Sequence, residues 1–485
     1  MNPCFRHRSC YVNFAEHVQN TWNYNPFSPG PDAPNQWSET NWWQFLVMLK
    51  AFGYTCFEYW APPTFFAVPA LAGDGIYGAF AASMRRATEI AHFIGLQTKC
   101  LAIVNCLGPD WYFACPHTPD DHELILKLWR HWIGELRGTD IFGIFPGDPG
   151  GCNRNGCTHE TYVDLALEIT GVVKAAGAVA EIGTWGTPFS GWGADMITVE
   201  GWQGDWKTIS DPRNASANAA VGSIWNGTPD RARLAMDYLL KRLPEFPTDT
   251  MVAINLGFSP DGDALNGGDA RGYAREIAQV RAITSWDYSV AEGELICYPH
   301  WRLPRMAARR REEWAAAPYA GGMIYTMTPR LNILSLYAGG QFFLDPDADP
   351  DRVSRTFCTE VFGEGHAALG ELLEAFEVVP GWGYYPRRRW SKEELRRVYT
   401  EIIDRLESAD PAACRLPLFP DVETYRQDLL WFARAFREMA GPSPDRDRIR
   451  LDYRRKVLAI YDFIPEAADE RTALAAQQFS DILGG

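Results

Sequence analysis

The residues in this chain best suited to chemistry are carboxylates placed where an apolar run gives way to a turn. Ile141–Phe145 is apolar or glycine throughout, reads as a buried strand, and runs into Pro-Gly-Asp-Pro-Gly-Gly, which sets Asp148 on a rigid turn. Pro146 and Pro149 restrict φ on both sides, while Gly147, Gly150 and Gly151 permit close approach of the backbone to a ligand. Taken alone, such a segment is an ordinary Pro/Gly turn with an inert aspartate. It gains meaning because the pattern recurs: Glu58 lies near the end of Tyr54–Trp60, Glu181 within Ala178–Trp185, and Asp287 and Glu292 beyond Arg281–Trp286. Two carboxylates facing each other across a cleft are what glycosidic cleavage needs. One protonates the leaving oxygen, and the other attacks the anomeric carbon or activates water. Asp148 is expected as the general acid/base and Asp287 as the opposing catalytic carboxylate, with Glu292 its close competitor. Glu58 and Glu181 are expected in supporting, substrate-binding roles.

Aromatic and amide side chains accompany these acids. Trp60, Trp185, Trp192, Trp286 and Trp301 are expected to stack on the apolar faces of sugar rings, and Asn105, Asn255 and His300 to read hydroxyls. A single tryptophan is ordinarily core packing. Nineteen of them, many at polar strand ends, favour a carbohydrate cleft.

The elements that would position these groups repeat as strand, loop, helix. Strands are predicted at Cys10–Phe14, Tyr54–Trp60, Gln97–Asn105, Ile141–Phe145, Ala178–Trp185, Met251–Leu256, Arg281–Trp286 and Gly322–Thr326, with helical periodicity between them. Eight such units predict an α/β chain folded as a (β/α)8 TIM barrel. A doubly wound open sheet is the competitor, but no G-x-G-x-x-G follows the first strand. A long polar excursion interrupts the barrel over 197–228, and from Leu331 the periodicity is helical only. The expected domains are a catalytic barrel over 1–330 and a helical C-terminal domain over 331–485.

Composition narrows the partners. At 485 residues and 46% apolar, the chain can bury a large core. A net charge of -15 argues against nucleic acid or an anionic membrane as partner. There is no apolar run of signal or membrane-spanning length, so a soluble, cytoplasmic protein is expected. Eleven cysteines, an odd number in a large chain, do not suggest a disulfide scaffold. Cys152, Cys157 and His159 form C-x4-C-x-H without an evident fourth ligand, which puts loop-structuring thiols or a local disulfide ahead of zinc. Asp261, Asp263 and Asp269 do not match the spacing of a calcium loop. No metal and no cofactor is expected, the partner is a small saccharide, and homo-oligomerisation is left open.

Three segments carry a family resemblance: FPGDPGGC after the fourth strand, WDYSVAEGE after the seventh, and LNILSLYAGGQFFLDPDADPDRVSRTFCTEVFG at the start of the helical region. Together they resemble bacterial glycoside-hydrolase-like proteins related to the α-glucuronidase, α-N-acetylglucosaminidase and β-hexosaminidase group of TIM-barrel enzymes. The resemblance implies a catalytic acid after strand four, which falls on Asp148, and a partner after strand six or seven, which falls on Asp287 or Glu292. It does not imply N-acetylhexosamine specificity, because Asp148 is followed by Pro149 and not by a second acid. Two other readings remain. One is a metal-dependent barrel isomerase or hydrolase using His17, Glu58, Glu181, His300 and the aspartates, which chelation would inactivate. The other is a non-catalytic carbohydrate-binding protein, which would bind glycans without turnover.

Overall fold

The computed structural model describes residues 5–12, 37–60, 76–105, 114–146, 155–184, 229–254, 270–287, 298–326, 328–377, 388–460, 476–477 and 479–483. Its strands are β1 (His7–Val12), β2 (Cys56–Trp60), β3 (Gln97–Ile103), β4 (Ile141–Phe145), β5 (Val179–Gly183), β6 (Met251–Ala253), β7 (Ile283–Thr284), β8 (Trp286–Asp287) and β9 (Gly321–Thr326). All pairings are parallel, in the order β7-β6-β5-β4-β3-β2-β1-β9-β8. The two ends of that order are halves of one stretch, parted only by Ser285. On one side Ile254 N donates to Thr284 O at 2.8 Å; on the other, Ala320 N donates to Ile283 O at 2.8 Å and Met323 N to Ser285 O at 2.9 Å. The sheet therefore closes on itself as the expected eight-stranded parallel barrel.

The strands read as near-continuous apolar runs because both of their faces are covered, one by the barrel interior and one by helices. Residues paired across parallel strands share a face, so the register sorts the side chains. Tyr11, Glu58 and Lys99 are aligned across β1, β2 and β3, Gly143 is aligned with Glu181, and Trp286 with Met323. These point inward. The alternate residues Phe57, Tyr59, Phe142, Ile144 and Ile324 belong to the apolar layer between sheet and helices.

Helices α1 (Glu39–Ala51), α2 (Ile76–Phe93), α3 (Pro119–Glu135), α4 (His159–Ala175), α5 (Pro229–Arg242), α6 (Ala270–Ile277) and α7 (Leu303–Ala316) alternate with the strands. Serine and threonine N-caps fix two of the starts: Ser38 for α1 and Thr158 for α4 each form a capping box. The helix after β9, α8 (Ile333–Leu344), is buried nearly all round and packs on α7 and against β1 and β9. It is thus the eighth helix of the barrel, although it opens the segment whose sequence reads as helix-only. Two adjacent glycines make this approach possible. A Cβ at Gly339 would stand 2.6 Å from Ile324 Cγ1, and one at Gly340 would stand 2.0 Å from Phe52 O.

Beyond α8 the described residues are largely helical, as expected: α9 (Pro350–Phe362), α10 (Lys392–Ser408), α11 (Val422–Met439) and α12 (Arg446–Ile460). Arg330, just past the last strand, anchors this region through an ion pair with buried Asp428 of α11 at 2.8 Å, which Lys456 of α12 also meets at 2.6 Å. Among the described residues, no helix is long and apolar enough to cross a membrane.

Candidate active site

An aromatic layer floors the C-terminal end of the barrel. Trp60 ends β2, Phe145 ends β4 and Trp286 opens β8; their ring centroids lie 5.8 Å apart for Trp60 and Phe145 and 5.0 Å for Phe145 and Trp286. Tyr11 and Tyr325, neighbours in register on β1 and β9, add a second pair at 4.6 Å. The contacts are edge-on or tilted, the arrangements that ring quadrupoles favour. The structure thus brings together Trp60 and Trp286, two of the expected sugar-facing rings, with Phe145 bridging them.

One interior layer below lies a buried ion cluster. Lys99 Nζ is 3.0 Å from Glu58 Oε1 and also donates to Glu181 Oε1; Thr284 Oγ1 donates to Glu181 Oε2 at 2.8 Å. Lys99 sits on β3 and Glu181 on β5, so the ammonium must reach over β4. It does so across Gly143, where an added Cβ would stand 3.3 Å from Lys99 Cε and 2.6 Å from Leu101 Cδ1. Burial pushes the Glu58 carboxyl above its usual range; Lys99 pulls it back and Glu181 adds to the rise. Burial disfavours the Lys99 ammonium, but its two carboxylate partners outweigh that and hold it protonated. Burial is also the main reason that the nearby His7 is shifted down, toward the neutral imidazole. Lys99 and Thr284 had no role in the sequence reading; the available signal was a lysine inside the apolar run QTKCLAI.

Asp287 takes a different position from that expected of a loop acid. It lies within the strand, aligned with outward-facing Ile324, and is 2% exposed. Its Oδ2 accepts from Arg310 Nη2 of α7 at 3.1 Å, and Arg310 Nη1 donates to Ser285 Oγ at 3.1 Å. Glu313 completes the cluster, 2.7 Å from Arg310, its carboxyl raised by burial. Arg310 also lies over the Phe343 ring of α8, 4.8 Å from its centroid. Asp287 therefore faces the helical layer, and its Arg310 contact fastens strand to helix.

The remaining expected site residues divide. Asn105 is fully buried, and its Nδ2 donates to Ala114 O at 2.8 Å. His300 is buried beside Tyr298, with ring centroids 4.1 Å apart, and its backbone N–H donates to Asn332 Oδ1 at 2.9 Å. Trp301 points into the helical region, its Nε1 donating to Ser354 Oγ of α9 at 3.2 Å. Asp148, Trp185, Trp192, Asn255 and Glu292 lie outside the described residues, as do Cys152 and the aspartates at 261, 263 and 269. Cys157 is buried, its sulfur 3.6 Å from that of Cys115. Among the described residues no three His, Cys, Asp or Glu side chains are placed to hold a metal ion.

Comparison with solved structures finds the same fold, at low sequence identity, in glycoside hydrolases. A GH138 enzyme targeting pectin rhamnogalacturonan II superposes with a TM-score of 0.54 at 10% identity, over 96% of this chain and 78% of its own. The O-GlcNAc hydrolase of Thermobaculum terrenum superposes with a TM-score of 0.52 at 12% identity, over 99% and 93% of the two chains. At these identities the likeness is one of fold. No family model matches the sequence, and no curated protein matches it either.

Proposed function

We propose that this protein is a glycoside hydrolase that removes a terminal sugar or cleaves a short saccharide by carboxylate general acid/base catalysis. The observation that carries the reading is the aromatic floor of Trp60, Phe145 and Trp286 at the C-terminal end of a barrel of glycoside-hydrolase type. In such barrels the reacting groups sit on the loops at that end. Asp148, three residues beyond Phe145, is assigned as general acid/base. An opposing carboxylate comes from the segment after β8. Because Asp287 is engaged by Arg310 on the helical side, Glu292 takes that role in this reading and Asp287 fixes the segment from behind. A carboxylate separation of about 5–5.5 Å would give a retaining double displacement, and about 6.5–9.5 Å an inverting one. The finer affinity is with the α-glucuronidase, α-N-acetylglucosaminidase and β-hexosaminidase group, supported by the three resembling segments and by the O-GlcNAc hydrolase among the structural neighbours.

The test is product analysis over a broad panel of aryl glycosides and oligosaccharides, with and without thorough chelation, followed by Asp148→Asn on the substrate found. Turnover that survives chelation and falls by about two orders of magnitude or more in the folded variant is expected. Near-wild-type turnover by Asp148→Asn overturns the assignment of the acid. Binding without turnover across the panel overturns the hydrolase reading.

A further inference from the structure

The helical C-terminal region contains a cavity of about 810 Å³ that the catalytic reading does not use. It lies between α10 and α11 and is closed at one end by the first turns of α12. The two long helices run antiparallel, as the Tyr399–Phe436 and Arg426–Leu406 contacts require. The residues that line it lie beside the packed apolar stripes and follow helical spacing: Glu393, Arg396, Arg397 and Thr400 on α10, and Trp431, Arg434, Ala435 and Glu438 on α11.

Five arginines line the cavity against three carboxylates, in a chain whose net charge is -15. Two of the acids are already engaged, since Arg448 of α12 pairs with both Glu438 and Asp452. Arg434 is held by Glu407 at 2.7 Å. Arg396, Arg397 and Arg437 are exposed, and among the described residues none has a carboxylate at ion-pair distance. Like-charged guanidiniums gathered in one cavity repel one another and gain when an anion enters. Their planar forks match carboxylate oxygens bidentately. Trp431, half-buried beside Phe432 and Phe479, supplies an apolar ring surface in the same cavity.

We infer that this cavity is a second binding site, separate from the barrel mouth, for an acidic saccharide whose carboxylates meet Arg396, Arg397 and Arg437 while a pyranose face rests on Trp431. The anionic character follows from the arginines alone; the choice of a saccharide rests on the glycosidase reading.

The test is calorimetric titration of the full chain with a short oligogalacturonate and, in parallel, with neutral maltopentaose and with inorganic phosphate. It uses the wild type, Asp148→Asn, and an Arg396→Ala, Arg437→Ala double variant. Both altered arginines are exposed helix positions where alanine is a good helix former. Oligogalacturonate is expected to bind wild type and Asp148→Asn alike, about tenfold or more weakly in the double variant, and with an affinity that falls as salt is raised. Maltopentaose is not expected to respond to the arginine changes. The inference is overturned if oligogalacturonate does not bind, if the double variant binds it as wild type does, or if only inorganic phosphate shows arginine-dependent binding. Arginine-dependent binding in a protein that turns over no glycan would sink the hydrolase reading and leave this one standing.

Discussion

Replacing Lys99 with methionine would remove the cation that joins Glu58 and Glu181 while keeping its apolar stem above Gly143. At the 3.0 Å separating Lys99 and Glu58 an ion pair is worth about 5–6 kcal/mol at an effective dielectric of about 20, partly offset because no ammonium then has to be desolvated. Breaking a buried pair by removing one partner costs roughly 3–5 kcal/mol net, and that is the expected loss at neutral pH. The cost should depend on pH in a defined direction. The Glu58 carboxyl already titrates above its ordinary 4.5 in the folded state, and without Lys99 it rises further. A group whose folded pKa is raised contributes stability that is complete below its unfolded pKa and is lost as pH rises through the folded value. The deficit of Lys99→Met should therefore be small near pH 4.5 and grow toward pH 8. Urea unfolding followed by tryptophan fluorescence reads it as a midpoint lowered by about 1 M or more at pH 7.5, for a slope of roughly 3 kcal/mol per molar. Adding Glu58→Gln and Glu181→Gln should restore most of the loss. A Lys99→Met protein as stable as wild type at pH 7.5, or one whose deficit shrinks as pH rises, would refute the placement of a charged triad inside the barrel.

Further outcomes follow from other contacts. Trp286→Ala removes the ring that tilts onto Phe145 and should weaken saccharide binding by about 1–3 kcal/mol in a titration with the substrate found; unchanged affinity would make that ring purely a core residue. Gly340→Ala drives a Cβ to 2.0 Å from Phe52 O and should lift α8 off the barrel, visible as poor expression or a large fall in melting temperature, whereas a wild-type melting curve would contradict the close packing. Burial pushes the Glu377 carboxyl up to about 7, with Arg302 pulling it back; its stabilising contribution, complete below about 4.5, is lost as pH rises toward 7 and amounts to about 3 kcal/mol at most. Glu377→Gln should flatten that part of the pH–stability profile, and an unchanged slope would show that another group sets it.

The barrel was legible because a parallel strand covered on both faces leaves an unbroken apolar run, and glycine or proline marks its end. The same property hid the direction of individual side chains. In IFGIF both faces are apolar, so no alternation tells which residues look inward. Asp287 illustrates the cost: read as the first residue of a loop, it is the last residue of a strand, and its face is decided by register with Ile324. Glu58 and Glu181 stood out as acids in apolar surroundings, but their common partner on β3 did not, because only folding brings β3 and β5 together over a glycine. Trp301 shows the converse, a tryptophan two residues before α7 whose partner, Ser354, lies in a helix beyond the barrel.

The seam at Ser285 bears on how the chain is made. β1 pairs His7 with Gly321, and the broken strand at 283–287 joins β6 to β9, so two of the barrel's eight seams wait for the last strand to be synthesised. Until then β1 presents an open edge, a row of unpaired amides next to the apolar Cys10 and Val12. Such long-range pairing is slow to form, because loop closure comes before the contacts that reward it. A nascent chain stalled before Gly321 is the form of this protein most exposed to sticking to its neighbours, and ribosome-bound truncations ending on either side of β9 would differ sharply in protease resistance.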